Sequence, residues 1–413
     1  MKWLALALAL AVLYPLGLAA RGNARLRAAM AAMLGFLPFY EVHVNFFSNE
    51  SYRGDSRGLE ITLLDLVGVV LAVALPARNP SPFRWQKLAY LLVVVVSVTQ
   101  AQLPLFAMFG LWKVVRLFAV STVAARAVDE ELGGEVYRGL LLGVCYSAFL
   151  ALKQRYVEGY MQAKGPFSHQ NGLGMAMNMV VPGALALWLG GNGGRLAMIA
   201  VVAGALCHVL ALSRGGMVLF VIACGVVFAT SYARKPTGRK AKILGLAALG
   251  VLAVLAKSLD TIMERFTRAP AGSEEGRKLF EAAARAMHAD HPLGVGINHF
   301  SHVLDLWGYA DRIGIPLVDR NGIVHNIWWL TIAELGTLGL LAFAALYVSP
   351  VLLAFRRAFF GRPGVARDVL LGWGAGMAVT LVQGKLEWSL RTTSLGQITF
   401  LLFGLIAGVA RAR

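Results

Sequence analysis

A long polar stretch, Ser258 to Val324, ends in the motif His325-Asn326-Ile327-Trp328-Trp329-Leu330, and a glycine-punctuated apolar run follows it. This contrast decides the fold, because almost every other part of the chain is too apolar to be stable in water. Apolar runs of roughly 17 to 22 residues recur along the chain, and about 20 helical residues cross a hydrocarbon core. We therefore expect the chemistry to lie in the polar stretch and at its borders.

The composition excludes a soluble globular protein. Of the 413 residues, 58% are hydrophobic and only 15% are charged, and the mean hydropathy is +0.64. A soluble protein needs a charged surface, which this composition does not supply. The sequence predicts an all-α, polytopic membrane protein with about twelve transmembrane helices and one large loop that contains helices.

The apolar segments define the candidate spans, with the second short enough to be re-entrant. The side of the membrane on which the N-terminus lies therefore remains open. The opening run has the character of a signal peptide with Ala19-Ala20 as its cleavage site, but the many later spans favour an uncleaved first helix. We place the spans at 3–20, 28–40, 59–76, 88–109, 111–127, 138–152, 172–190, 196–212, 216–231, 243–257, 326–355, 369–384 and 394–410.

The formal net charge of +17 comes from basic residues that lie mostly in short loops between apolar runs. This distribution is typical of positive-inside anchoring, with a contribution from anionic lipid headgroups, and it predicts no nucleic-acid partner. The cysteines, Cys145, Cys207 and Cys224, lie in or beside apolar runs and lack the spacing of a metal or redox site. We interpret them as packing residues.

Two short loops rich in arginine and lysine, 234–242 and 356–368, orient the later part of the chain together with the tail 411–413. Such loops are expected on the cytoplasmic side. Counting one span from each places the large insertion on the opposite, extracytoplasmic face. The same alternation places three further polar segments on that face: 153–172, 213–216 and 384–393.

The insertion is predicted to contain an amphipathic helix. Ser273-Glu274-Glu275 offers an N-cap with acids in the first turn, and the helix is expected to stop near His291-Pro292. Its apolar face would lie on the membrane surface or on the rim of the helix bundle. A glycine turn, Leu293-Gly294-Val295-Gly296, follows. The apolar face consists of Leu279, Phe280, Ala283, Ala284 and Met287.

Arg214 and His325 are the first candidates for function. An arginine beside a bilayer span is costly without a partner, and Gly215 and Gly216 would let an anionic group approach Arg214 closely. The alternative is an arginine that reaches the headgroups. His325 stands at the border between insertion and membrane, where it would serve as a base near neutral pH. The alternative is a histidine that caps the next helix.

Further cations are predicted on the same face. Arg277 and Lys278 lie on the loop helix, and Lys153-Gln154-Arg155 forms a second basic cluster. Several cations that converge on one face suit a phosphate or pyrophosphate, which arginine binds through two parallel hydrogen bonds. Charge exposed to solvent in the loops is the alternative for each residue.

Two H-x-x-H pairs in the insertion, His288 with His291 and His299 with His302, raise the hypothesis of a zinc site. The first pair flanks the end of the predicted helix, and no acid follows the second pair at metalloprotease spacing. We therefore predict no metal ligand. The sequence also lacks a P-loop, a nucleophile elbow, a dinucleotide fingerprint and the paired carboxylates of glycoside hydrolases.

Taken together, these motifs resemble the O-antigen ligase and O-antigen polymerase superfamily over roughly residues 165–345. The first 150 residues match only as generic spans. The motifs that carry the resemblance are Gly165-Pro166-Phe167-Ser168-His169-Gln170-Asn171-Gly172, Ser213-Arg214-Gly215-Gly216, the loop helix with Arg277, Leu293-Gly294-Val295-Gly296, His325-Asn326-x-x-Leu330, and Glu334-Leu335-Gly336-x-x-Gly339-Leu340.

The resemblance implies a metal-independent, inverting glycosyltransferase of the GT-C type, without a cofactor, in the bacterial inner membrane. Its donor would be a glycan on undecaprenyl pyrophosphate and its active site would face the periplasm. The resemblance makes Arg214 and Arg277 the pyrophosphate-facing cations and His325 the catalytic histidine. Looser matches offer Lys153, Gln154, Arg155 and His169 as the lining of the donor site.

A ligase passes the glycan to lipid A-core, whereas a polymerase passes it to another lipid-linked repeat unit. The single compact insertion favours a ligase, and relatives that glycosylate protein serine or threonine stay open. A flippase for lipid-linked oligosaccharides is the alternative from another class, but its ionisable residues should lie near the membrane midplane. We divide the single membrane domain into N-terminal helices (1–257), a large periplasmic loop (258–325) and C-terminal helices (326–413).

Overall fold

The structure is a computed structural model that describes residues 2–246, 249 and 271–412. Within these residues, nine helices are long and apolar enough to cross a membrane. The strands β1 (His43–Phe46) and β2 (Leu59–Thr62) pair antiparallel in a small sheet. The predicted all-α, polytopic membrane fold is therefore confirmed.

The helices that precede the large insertion are α1 (Lys2–Gly22), α2 (Ala24–Phe36), α3 (Leu63–Ala74), α4 (Arg84–Gln100), α5 (Pro104–Asp129), α6 (Gly133–Tyr156), α7 (Gln170–Gly190), α8 (Gly194–Ala211), α9 (Arg214–Arg234) and α10 (238–246). The later helices are α11 (Ala271–Asp290), α12 (Phe300–Leu306), α13 (Tyr309–Ile313), α14 (Ile327–Phe360), α15 (Val365–Gln383) and α16 (Thr393–Arg411). Short 3₁₀ turns cover Leu37–Phe39, Leu317–Asp319 and Ser389–Arg391. The nine long apolar helices are α1, α5 to α9 and α14 to α16.

Several predicted spans differ from the helices. The start of span 59–76 is the strand β2, because Thr62 and Asp65 form a capping box that begins α3 at Leu63. The boundary predicted at residue 110 lies instead before Pro104, where a proline starts α5. The span 243–257 and the first part of the insertion lie largely outside the described residues.

The amphipathic loop helix is present as α11, which begins two residues before the predicted cap Ser273. Its apolar residues Phe280, Ala283, Ala284 and Met287 are buried. The helix packs against α14 and α13. Its apolar face therefore contacts the rim of the bundle, one of the two predicted positions.

The helix α14 is broken at Gly336, whose backbone angles of φ 67° and ψ −172° only glycine adopts without strain. The glycine turn after α11 enters this break. Val295 and Gly296 donate backbone hydrogen bonds of 3.0 Å to the carbonyl groups of Ala333 and Glu334. A broken helix must satisfy its freed polar groups in this way within an apolar bundle. The glycine turn 293–296 and the glycine segment around Gly336 thus pack against each other through backbone hydrogen bonds.

Two helices, α7 and α16, form the centre of the bundle, since 89% and 94% of their most apolar windows are buried. Such helices are apolar on all sides. Around α7 pack α8, α9 and α15, and α16 packs against α5. The first turns of α7 and α9 and the last turn of α15 meet at one end of the bundle.

The basic loops lie at the opposite end. The guanidinium of Arg234, in the last turn of α9, lies 3.5 Å from the carboxylate of Asp368 at the start of α15. Arg239 donates a hydrogen bond of 3.0 Å to the carbonyl of Trp188 near the end of α7. These contacts place the predicted cytoplasmic loops and the polar segments on opposite ends of the bundle, as the alternation of spans predicts.

Candidate active site

A cavity of about 440 Å³ opens at the polar end of the bundle, and we call it the first cavity. All of the polar segments that were predicted to share one face contribute to it. The residues that line it belong to the segments 162–171, 212–216, 276–280, 319–325 and 383–387.

The floor of the first cavity joins three helices through buried amides. Asn178 of α7 donates hydrogen bonds of 2.8 Å to the side-chain oxygen of Gln383 and 3.3 Å to the carbonyl of Gly216. These bonds connect the last turn of α15 to the first turn of α9. Because buried amides must be paired, the floor holds the polar segments in a defined arrangement.

His325 lines the first cavity directly before α14. Asn326, not His325, caps this helix, since its side chain accepts hydrogen bonds from the backbone of Trp328 and Trp329. The interpretation of His325 as a helix cap is therefore wrong. The backbone of Ile327 donates a 2.8 Å hydrogen bond to the carbonyl of Gly384, which places His325 beside the segment after α15.

Glu387, in that segment, is the central acid of the first cavity, and the sequence analysis did not select it. Its side chain is only 4% exposed, and one carboxylate oxygen lies 3.5 Å from Nδ1 of His325. The other oxygen lies 3.5 Å from the guanidinium of Arg277 and accepts a short hydrogen bond from Asn171. The available signal was an acid within the polar segment 384–393.

Arg277 and Arg214 bring positive charge to the first cavity from two different helices. Arg277, on α11, is paired with Glu387. Arg214 occupies the first turn of α9, and its guanidinium has no ion pair or hydrogen bond among the described residues. A half-buried arginine without a partner is available for an anionic ligand.

Three helices begin at the first cavity: α7 follows His169, α9 starts at Arg214 and α14 follows Asn326. The N-terminus of a helix carries partial positive charge and free N–H groups. At α9, the side chain of Ser213 makes no capping hydrogen bond. The backbone therefore adds to the positive potential of the two arginines.

His169 caps α7, because its Nδ1 accepts a 3.2 Å hydrogen bond from the backbone of Asn171. Burial lowers the pKa of His169, although the carboxylate of Glu387 opposes this effect. The neutral ring keeps the cap intact, since protonated Nδ1 is no longer an acceptor. His169 lines the first cavity, and its place in a donor site stays a prediction.

The other predicted donor-site residues do not line the first cavity as the described residues form it. Lys153 forms an exposed ion pair of 3.0 Å with Glu158. Arg155 donates hydrogen bonds to backbone carbonyls of the loop after α6. Gln154 is buried and bonds the backbone of Gly165 in both directions. These contacts give the three residues a part in shaping the loop that leads to His169.

The histidines of the H-x-x-H pairs have separate surroundings. Both ring nitrogens of His299 contact backbone groups, with Nε2 accepting from Leu103 at 3.2 Å and Nδ1 lying 3.0 Å from the carbonyl of Ile297. The ring of His291 lies against Trp307. Within the described residues, the single group of three side chains spaced to hold a metal ion is elsewhere, at Glu41, His43 and Glu60.

These three residues line a second cavity of about 350 Å³ at the same end of the bundle. Behind it lies a buried ionic frame. Arg391 contacts Asp55 and Glu334 at 2.8 Å, and Arg116 contacts Glu60 at 2.8 Å. Burial alone would raise the pKa of Asp55, but Arg391 and Lys113 lower it on balance, so the carboxylate is ionised.

A protein-family model described as O-Antigen ligase matches residues 199–344. The match begins in α8, ends in α14 and includes Arg214, Arg277 and His325. No curated protein matches the sequence.

Proposed function

We propose that the protein is an O-antigen ligase of the bacterial inner membrane, because residues 199–344 match a family model described as O-Antigen ligase. It transfers the glycan of an undecaprenyl-pyrophosphate-linked donor to lipid A-core, and the first cavity is its active site, facing the periplasm. The observation that carries this proposal is the convergence of Arg214, Arg277 and His325 on one cavity.

The donor's pyrophosphate binds between the two arginines. A sugar on pyrophosphate has a good leaving group, so the enzyme mainly has to stabilise the negative charge that develops on the departing oxygen. Arg214 is free to bind it through two hydrogen bonds. The N-terminus of α9, which has no side-chain cap, adds oriented N–H groups at the same place. Arg277 joins them when it turns from Glu387 towards the anion.

His325 accepts the proton of the acceptor hydroxyl. Glu387 lies on the Nδ1 side of the ring, so a modest approach converts their 3.5 Å contact into a hydrogen bond. That bond holds the proton on Nδ1, leaves Nε2 as the acceptor and stabilises the imidazolium that forms. General-base catalysis of this kind contributes about 10²- to 10⁴-fold.

The reaction is a single displacement. The acceptor oxygen forms a bond to the anomeric carbon as the bond to the pyrophosphate oxygen breaks, and the hydroxyl proton passes to His325. Attack from the face opposite the pyrophosphate inverts the anomeric centre. The arginines and helix N-termini supply the positive charge that the leaving group requires.

A polymerase would use the same donor chemistry with a second lipid-linked glycan as acceptor, and the compact insertion favours the ligase. A transporter of lipid-linked oligosaccharides is the alternative from another class. Transporters bind their substrates near the membrane midplane, whereas Arg214, Arg277 and His325 lie at one end of the bundle beside the helices of the insertion.

The test is glycan transfer by the purified protein in EDTA, with undecaprenyl-pyrophosphate-linked glycan and lipid A-core. We expect a product on lipid A-core, and we expect its loss in His325→Ala and in Arg214→Ala without loss of folding. Arg214→Lys, which keeps the charge but not the planar pair of donors, should recover only part of the rate.

The control variants are His288→Ala and Arg195→Ala, which change the same residue types outside the first cavity and should transfer normally. Longer lipid-linked chains without product on lipid A-core would identify a polymerase. Transfer to neither acceptor would favour the transporter. Transfer at the wild-type rate by His325→Ala would remove the proposed base.

A further inference from the structure

The second cavity adjoins the first through a common wall. Ser168 and Gly172 line the second cavity, while His169 and Asn171, between them in the chain, line the first. After α15 the same alternation occurs, with Glu387 in the first cavity and Ser389 in the second. The hydrogen bond from Asn171 to Glu387 connects the two segments of the wall.

The second cavity differs from the first in its chemistry. It presents the carboxylates of Glu41, Asp55 and Glu60 beside the cations Arg57 and Lys113. The first presents Arg214, Arg277 and helix N-termini beside Asp319 and Glu387. Carboxylates and hydroxyl groups accept hydrogen bonds from sugar hydroxyls, and carboxylates repel phosphate. The hydroxyl groups of the lining come from Ser56, Ser168, Ser389, Thr392, Thr393 and Ser394.

Two buried polar atoms in this lining have no hydrogen-bond partner. They are one carboxylate oxygen of Asp55, which lies 3.8 Å from Nζ of Lys113, and the hydroxyl of Ser56. The carboxylate of Glu41, by contrast, is exposed at the cavity and can accept hydrogen bonds from a polar occupant. The volume of about 350 Å³ lies within the ~300–1,000 Å³ that is usual for small-molecule sites.

The walls are rigid enough to select a ligand. Arg391 bridges Asp55 and Glu334, and Lys113 donates to the carbonyls of Asp55 and Arg391 at 3.0 Å. Buried charges that are paired in this way hold one geometry, because moving either partner exposes the other without compensation. The site therefore needs little reorganisation on binding.

We propose that the second cavity binds the uncharged sugar of the acceptor and directs its hydroxyl past Glu387 towards His325. This inference rests on the proposed function, since it assumes a displacement with the leaving group in the first cavity. Arg214 does not line the second cavity, whereas Arg277 contacts Glu387 in the common wall. An acceptor that enters over the common wall reaches His325 beside Glu387, and inversion then requires the pyrophosphate on the other side of the sugar, towards Arg214.

The test changes two residues of the lining. Ser168→Trp fills the mouth of the second cavity, and Glu41→Gln removes one carboxylate without changing its size. Ser51→Trp and Glu50→Gln are matched controls, because these neighbouring residues are exposed and lie outside both cavities. The measurements are the KM values for lipid A-core and for the lipid-linked donor, all in EDTA so that no divalent cation takes part.

A second measurement needs no turnover. Core oligosaccharide freed of lipid A is added to the protein, and its contact with the protein is detected by saturation-transfer NMR. This binding measurement tests the inference separately from the proposed function, because it does not depend on glycan transfer. If wild-type protein binds the oligosaccharide and Ser168→Trp does not, the inference stands even when no transfer is seen.

We expect Glu41→Gln to raise the KM for lipid A-core about 10- to 100-fold, the cost of a lost hydrogen bond to a charged group. Ser168→Trp should raise this KM at least as much, because the indole occupies the space of the sugar. The donor KM and both controls should stay within twofold of wild type. A parallel rise in donor KM would assign the cavity to the donor's glycan and overturn the inference. Unchanged acceptor KM in both variants, or no oligosaccharide binding by wild type, would overturn it as well.

Discussion

Replacing Glu387 by glutamine tests the core of the proposed site. This substitution keeps the size of the side chain and an oxygen for Asn171, but it removes the negative charge that faces His325 and Arg277. In the proposed mechanism His325 becomes positively charged only as the acceptor loses its proton. Glu387 therefore stabilises the transition state more than the ground state.

The size of the effect follows from the geometry. Unit charges 3.5 Å apart, the distance from Nδ1 of His325 to Glu387, attract by about 5 kcal/mol at an effective dielectric constant of about 20. The side chain of His325 is 39% exposed, so water weakens the attraction. Somewhat less than half of this attraction, about 2 kcal/mol, then stabilises the transition state, which corresponds to roughly 30-fold in rate.

The assay compares kcat and donor KM of the wild type and Glu387→Gln with saturating lipid A-core. We expect kcat to fall roughly 10- to 100-fold, while donor KM stays level or decreases because Arg277 no longer pairs with an acid. Glu387→Asp, which retains the charge, should lose less. Thermal unfolding of each variant checks that the loss is not due to misfolding.

The control is Glu158→Gln, which breaks an exposed ion pair with Lys153 outside the first cavity. It should leave kcat unchanged. A kcat of Glu387→Gln within threefold of wild type would refute the proposed role of the carboxylate. A raised donor KM with an unchanged kcat would assign Glu387 to donor binding instead.

Three further predictions follow from single contacts. Lys153→Ala should change donor KM less than twofold, because an exposed ion pair is worth about 0–1 kcal/mol, and a rise above fivefold would support its predicted place in the donor site. Gly336→Ala should lower the free energy of unfolding by about 2–5 kcal/mol, from backbone strain and a clash of the new Cβ with the carbonyl oxygen of Pro292; an unchanged melting temperature would contradict the break in α14. Burial lowers the pKa of His299 in the folded protein. The contribution of His299 to folding stability is therefore complete above the pKa of the unfolded chain, near 6.5, and is lost as the pH falls below it. His299→Gln keeps one donor and one acceptor and should show a smaller drop in melting temperature from pH 7.5 to pH 5 than wild type, whereas equal drops would contradict this assignment.

Much of the site could be predicted because its residues stand out against an apolar background. Arg214 and His325 border apolar runs, where a charged or titratable group is costly and therefore noticeable. The alternation of spans placed their segments at one end of the bundle, and the first cavity has that composition. Lys153 and Arg155 satisfied the same criteria, yet they contact Glu158 and backbone carbonyls.

Glu387 and the ionic frame could not be predicted, because their importance depends on partners far away in the chain. Glu387 meets Asn171 and Arg277 across the first cavity. Arg391 meets Asp55 across more than 300 residues of sequence. From the sequence alone, a buried and paired acid or arginine in a polar segment cannot be distinguished from an exposed one, since exposed charges are common.

The sequence by itself determined the class of fold, and it predicted the orientation of the later helices and the segments that would carry the chemistry. These depend on the length, hydropathy and charge of local segments, because those properties decide whether and in which direction a segment inserts into the membrane. Only the tertiary structure decided which side chains meet: His325 with Glu387, Asn326 as the cap of α14, and the glycine turn in the break at Gly336. Those contacts depend on distances of a few ångströms between segments that are remote in the chain, and no local pattern specifies such distances.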